Sequence, residues 1–106
     1  LVVSRTGRAA VIVGAGPRGC MLARRAAGAD PGPSLSRIPA PAVTAVDTTG
    51  AGDAHSGAFL AGLAAGLTGA EAARRANAAA ALTVTRSGAA TSPTRAELRQ
   101  FLAAWR

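Results

Sequence analysis

Two carboxylates, Asp47 and Asp53, stand six residues apart with Thr48, Thr49, Gly50, Ala51 and Gly52 between them and no bulky side chain in the interval. Gly50 and Gly52 permit a tight turn and let backbone N–H groups approach a ligand, and the helical pattern that opens near Asp53 adds the positive end of its dipole. Such a turn, with Gly50, Ala51 and Gly52 as its anion-holding residues, suits a phosphate. A carboxylate beside a phosphate is repelled by it unless it has a chemical task. For Asp53 that task would be to take the proton from an attacking hydroxyl. The plain alternative is that Asp53 only complements the helix dipole after an ordinary glycine turn.

The elements that must place this turn can be read from the pattern on either side. Ala10–Val13 is a short β-branched run of the kind buried in a parallel sheet, and Ala42–Val46 is a second apolar run expected to be the strand that delivers the chain into the turn. Residues 26–41, rich in Gly, Pro, Ala and Ser, read as a loop. A helix is expected from about Gly52 to Gly66, with Phe59, Leu60, Leu63 and Leu67 as its buried stripe. Thr68–Glu71 and Thr94–Glu97 are both capping boxes. The first opens a helix to about Leu82, with Arg74 and Arg75 on its solvated face. The second opens a last helix whose apolar face is Leu98, Phe101, Leu102 and Trp105.

Composition narrows the function classes. The net charge is +7, carried by twelve Arg and no Lys. Without Lys there is no GxxxxGK[ST] loop and no protein-kinase lysine. The arginines are scattered, Tyr is absent, and Phe59, Phe101 and Trp105 sit at helical apolar positions, so stacking platforms for nucleic acid are missing. The 17 uncharged residues from Ala54 to Ala70 are at the short limit for a membrane span and are diluted by Gly, Ser56, His55 and Thr68. A helix packed inside an α/β domain accounts for them better. Neither a nucleic-acid partner nor a membrane is therefore expected. One cysteine, Cys20, and no His/Cys cluster exclude an internal disulfide and a structural zinc site. With no signal-peptide pattern at the N-terminus, a cytoplasmic setting is expected.

Gly14-Ala15-Gly16-Pro17-Arg18-Gly19 is formally a GxGxxG after a strand. A dinucleotide site would need a helix next and an acid about 20 residues on. Asp30 comes too early, and Pro31, Pro33, Pro39 and Pro41 break the region of the second strand.

Asp47-Thr48-Thr49-Gly50-Ala51-Gly52-Asp53-Ala54-His55-Ser56-Gly57-Ala58-Phe59-Leu60-Ala61-Gly62-Leu63 resembles the signature of the ribokinase-like, or PfkB, family of carbohydrate and nucleoside kinases. The resemblance continues through Asn77–Leu82, Val84–Ala89 and Ser92-Pro93-Thr94. It implies the C-terminal portion of a three-layer α/β/α fold, with 1–46 as strands and loops, 47–106 as the anion-hole turn and helices, and the N-terminal substrate and lid part absent. It also implies an ATP-dependent phosphotransferase acting on a hydroxyl of a sugar or nucleoside, with Mg²⁺ as cofactor and a homodimer open for the full-length protein. The rival reading is a nucleotide-binding module without activity of its own.

Residue by residue, the resemblance makes Gly16-Pro17-Arg18-Gly19 a tight turn between two strands, with Cys20–Ala23 as the return strand. It places Gly16, Gly19, Asn77 and Gly88 at the nucleotide. It puts a monovalent cation, K⁺, against Asp47 and Ser92 and the backbone of Thr49, Thr83, Arg86 and Gly88. Two positions depart from the family pattern. Gly14 stands where a Thr often contacts the phosphates. His55 stands where Phe is usual, which makes it a substrate contact or a spacer.

Overall fold

The computed structural model describes residues 2–3, 10–14, 18–25, 33–88 and 92–105. Strands β1 (Val2–Val3), β2 (Ala10–Gly14), β3 (Cys20–Arg25) and β4 (Pro33–Ile38) form one sheet in the order β1-β2-β3-β4, and every neighbouring pair is antiparallel. The register sets Gly14 opposite Cys20 and Cys20 opposite Ile38. Three helices follow, α1 (Ala51–Ala64), α2 (Gly69–Val84) and α3 (Arg95–Ala104).

Period-2 alternation decides which face of the sheet is covered. Cys20 and Leu22 are buried, and Met21 between them points outward. With Phe59 of α1 and Ala72, Ala73 and Ala76 of α2 they form the first core cluster. Ala78 and Ala79, on the next turns of α2, form a second cluster with Leu98 of α3. Helix α2 is therefore buried on two sides, and its run of methyl-sized side chains is what lets the sheet, α1 and α3 all approach it. At the α1–α2 crossing the approach is close. A Cβ placed on Gly62 would lie 3.0 Å from the Ala72 Cβ.

Local chemistry ends the helices where the sequence indicates. Gly66 takes φ +87° just after the last turn of α1, Leu67 donates its N–H to the Gly62 carbonyl (3.0 Å) and Gly66 to that of Leu63 (3.1 Å), which is a Schellman closure. Both capping boxes form in full, Thr68 with Glu71 and Thr94 with Glu97.

Four expectations are corrected. Ala10–Val13 lies in an antiparallel sheet, paired with β1 and β3, because β3 runs back beside it with Gly14 opposite Cys20. The stretch read as a loop over 26–41 contains β4, whose backbone pairs along β3 despite its polar composition. Ala42–Val46 is not a strand. No strand lies beside it among the described residues, and it is attached instead through the N–H groups of Val46 (2.7 Å) and Asp47 (3.1 Å), both donated to the Val84 carbonyl. Leu60 leaves the expected stripe and is 51% exposed, because the face of α1 that carries Phe59 and Gly62 is the one turned to α2 and the sheet.

Candidate functional site

Gly50 adopts φ +80° as the N-cap of α1, a left-handed conformation that only glycine takes without strain, and it contributes no side-chain cap. The consequence is an open helix start. The Ala51 N–H is taken by the Thr48 carbonyl (3.2 Å) and that of Ala54 by the Gly50 carbonyl (3.0 Å). Between them the amides of Gly52 and Asp53 have no backbone acceptor among the described residues. Two free N–H groups at the positive end of a 14-residue helix make a ready anion site. Of the three residues expected to hold the anion, Gly50 thus shapes the turn, Gly52 presents a free amide, and the Ala51 amide is committed within the turn.

Asp53 is exposed in the first turn of α1 and lines a groove of about 450 Å³ between α1, α2 and the Ser92–Arg99 stretch. Arg75, Arg95 and Arg99 line the same groove. Asp47 sits on the other side of the turn. Its Oδ1 accepts from the Thr49 amide (2.9 Å) and its Oδ2 from the Gly88 amide (3.3 Å). The Thr49 side chain and amide, then the Gly88 amide, hold this carboxyl below its usual range. Asp47 therefore ties the turn to the loop that follows α2, where Gly88 has φ +109°.

The residues expected around a cation partly converge. Asp47, Thr49 and Gly88 are joined by the bonds just described. Thr83 is buried, its hydroxyl donating to the Ala79 carbonyl (2.8 Å) and its own carbonyl accepting from the Arg86 amide (3.2 Å). The Arg86 guanidinium pairs with Glu97 of α3. Ser92 is exposed and lines the Asp53 groove. No group of three or more His, Cys, Asp or Glu that could hold a metal occurs among the described residues. A monovalent cation needs no such group. Beyond the Thr49 amide and hydroxyl and the Gly88 amide, the Asp47 carboxylate keeps acceptor capacity for a weakly held ion among oxygens.

Asn77 and Gly19 are used inside the fold. Asn77 is 3% exposed, and its amide nitrogen donates to the carbonyls of Ile38 (2.9 Å) and Pro39 (3.0 Å). Its oxygen meets His55 Nε2 at 2.9 Å. Gly19, with φ +91°, lies against the same stretch, and a Cβ there would stand 2.0 Å from the Ile38 carbonyl oxygen. His55 and Asp53 are about 200° apart around α1, so they face different surroundings. Gly16 lies outside the described residues.

The adjacent arginines Arg74 and Arg75 are not a solvated pair. Arg74 is half-buried, lies 4.4 Å over the Trp105 ring and donates to the Trp105 carbonyl. Arg75 has a buried Nε without a hydrogen-bond partner. Trp105, read as a packing residue, thus has a polar role as well. An Arg within an alanine helix facing a distant aromatic leaves no local spacing signal, which is why sequence reasoning missed both. No helix among the described residues is long and apolar enough to cross a membrane.

Sheet and helices define an α/β protein in which a turn with two free amides stands beside a carboxylate. Residues 2–96 match the model of the pfkB family carbohydrate kinases, and the chain belongs to that family. It is 51% identical over 61 residues to the uncharacterized sugar kinase YegV of Escherichia coli (strain K12), a match that takes in 58% of this chain and 19% of the relative. Among solved structures it is similar to the ribokinase of Thermotoga maritima (39% identity, TM-score 0.79, 89% of this chain and 30% of that one). It is similar also to the Arabidopsis thaliana ribokinase complexed with ribose and ATP (36% identity, TM-score 0.72, 88% of this chain and 28% of that one). The chain accordingly spans under a third of the length of these relatives, and its architecture is an incomplete ribokinase-like α/β fold.

Proposed function

We propose that the chain is the nucleotide-side part of an ATP-dependent kinase that phosphorylates a hydroxyl of a sugar or nucleoside. The observation that carries this reading is the pair of unpartnered amides at Gly52 and Asp53 with the Asp53 carboxylate in the same first turn. Family membership and the resemblance to a ribokinase complexed with ribose and ATP support the donor and the acceptor class. Ribose is common to a free sugar and a nucleoside, which keeps both acceptors within the class.

In the proposed mechanism the free amides and the helix dipole take the charge that develops on the transferring phosphoryl group. Asp53 accepts the proton of the acceptor hydroxyl as its oxygen attacks in line. Asp47 holds the turn in register with the loop at Gly88. Asp47 and the neighbouring backbone oxygens would hold K⁺, whose charge supports the turn from behind. Mg²⁺, which neutralises donor phosphates in such transfers, completes the cofactor set. Gly16 and Gly88 border the nucleotide in this reading, while Gly19 and Asn77 hold the stretch after β4 from inside the fold. The groove arginines add positive potential near Asp53.

A coupled assay of ADP release over a panel of sugars, sugar acids and nucleosides, run on the complete polypeptide, tests the proposal. Turnover on one acceptor that depends on Asp53 supports it. ATP binding without turnover on any acceptor would favour a nucleotide-binding module instead.

A further inference from the structure

The hydrogen bond between His55 and Asn77 has a direction that the surrounding geometry fixes. Asn77 Nδ2 gives its two hydrogens to the Ile38 carbonyl (2.9 Å) and the Pro39 carbonyl (3.0 Å). Those two acceptors leave the amide one orientation, with Oδ1 turned to His55 Nε2 at 2.9 Å. An amide oxygen only accepts, so Nε2 must carry the hydrogen. The neutral imidazole is then the Nε2–H tautomer, with Nδ1 bare.

These contacts join three pieces of the molecule at one side chain: the exit of β4 through Ile38 and Pro39, α2 through Asn77 itself, and α1 through His55. The β4 exit begins the irregular stretch that ends in the Gly50–Asp53 turn, and α1 carries that turn at its first residue. From the other side the Gly19 backbone presses on residues 38–40 too closely to admit a Cβ. Freed from His55, the buried Oδ1 would lose its ring donor, and an amide without that partner is free to rotate and release the two carbonyls.

We propose that His55 is a positioning residue: by donating Nε2–H to Asn77 it locks the amide that fixes the path from β4 into the anion-binding turn. This assigns His55 no contact with substrate. Its activity arm rests on the kinase reading above, and its spectroscopic arm does not.

The test is made on the intact polypeptide. Two-bond ¹H–¹⁵N correlation spectra of the wild-type ring are expected to show the Nε2–H pattern at neutral pH, or the doubly protonated ring. An Nδ1–H pattern would overturn the proposal without reference to any variant. His55→Phe keeps the ring's bulk without the donor, and His55→Gln restores a donor of similar reach. Exchange of the Asn77 side-chain amide hydrogens is expected to speed up by about tenfold in His55→Phe and to stay within about threefold of wild type in His55→Gln. Equal exchange in the two variants would sink the idea. In the kinase assay His55→Phe is expected to raise the KM for ATP several-fold at nearly unchanged kcat, with recovery in His55→Gln. If the spectra agree and no kinase activity exists at all, the failure lies with the functional reading and not with the assignment of His55.

Discussion

The carboxylate of Asp47 reaches across 41 residues to accept the Gly88 amide at 3.3 Å while holding the Thr49 amide at 2.9 Å. One side chain thereby sets the turn before α1 against the loop after α2, and its protonation is coupled to that arrangement. The folded carboxyl lies below its usual range, so the folded form binds fewer protons than the unfolded one at acidic pH. The stabilisation is complete above the ordinary carboxylate range and is lost as pH falls through the lowered folded value. Anion affinity of the turn, measured by titration calorimetry with ATP, is expected to be flat from about pH 6 to 8 and to fall below the ordinary Asp range. Asp47→Asn, which keeps the shape, is expected to weaken ATP binding by about tenfold, the scale for a hydrogen bond to a charged group, and to remove this acid dependence.

Asp53→Asn separates binding from transfer. Loss of a general base costs about 10²- to 10⁴-fold in rate. The expected outcome is turnover reduced on that scale with ATP affinity within a few-fold of wild type, read by single-turnover phosphorylation beside calorimetry. Turnover like that of the wild type would remove Asp53 from the role of base.

Two glycines that bracket the β2–β3 connection should respond oppositely to alanine. Gly19→Ala would set a Cβ 2.0 Å from the Ile38 carbonyl oxygen at φ +91°, so unfolding in urea is expected to show a loss of about 1–3 kcal/mol or more. Gly14 has nothing within 4 Å of its absent Cβ, and Gly14→Ala should stay within about 0.5 kcal/mol. Gly14→Thr restores the hydroxyl that the family often carries there and is expected to tighten ATP binding.

The neighbours Arg74 and Arg75 should also diverge. Arg74→Met forfeits the contact over Trp105 and the bond to its carbonyl, an expected loss of about 1–2 kcal/mol. Arg75→Met removes a buried nitrogen that has no partner, and the same urea titration is expected to show no loss or a gain of up to about 1 kcal/mol.

What was legible in the sequence was whatever rests on local chemistry. The glycine turn, both capping boxes and the helix stop at Gly66 follow from residues close together in the chain, and each appears in the structure; the return strand at Cys20–Ala23, implied by the family resemblance, appears too. What escaped depends on partners far along the chain. Strand β4 is polar and is recruited by the β3 backbone. Val46, 65% exposed, is apolar but finds no strand beside it among the described residues. His55 and Asn77 were both singled out, yet their partnership across 22 residues has no sequence signal, because neither periodicity nor spacing reports a contact between two helices and a strand exit. Asp47 was read as a support acting through a cation, and the structure shows it accepting the Thr49 and Gly88 amides, while the groove arginines could be located only once α3 was placed against α2.

The stretch from Pro39 to Val46 is fastened to α2 at both ends, by Asn77 at one and by the Val84 carbonyl at the other, seven residues or about 10 Å apart along the helix axis. It behaves as a strap buckled twice to one rod. Its middle, Ala42–Ala45, lies exposed between the two fastenings.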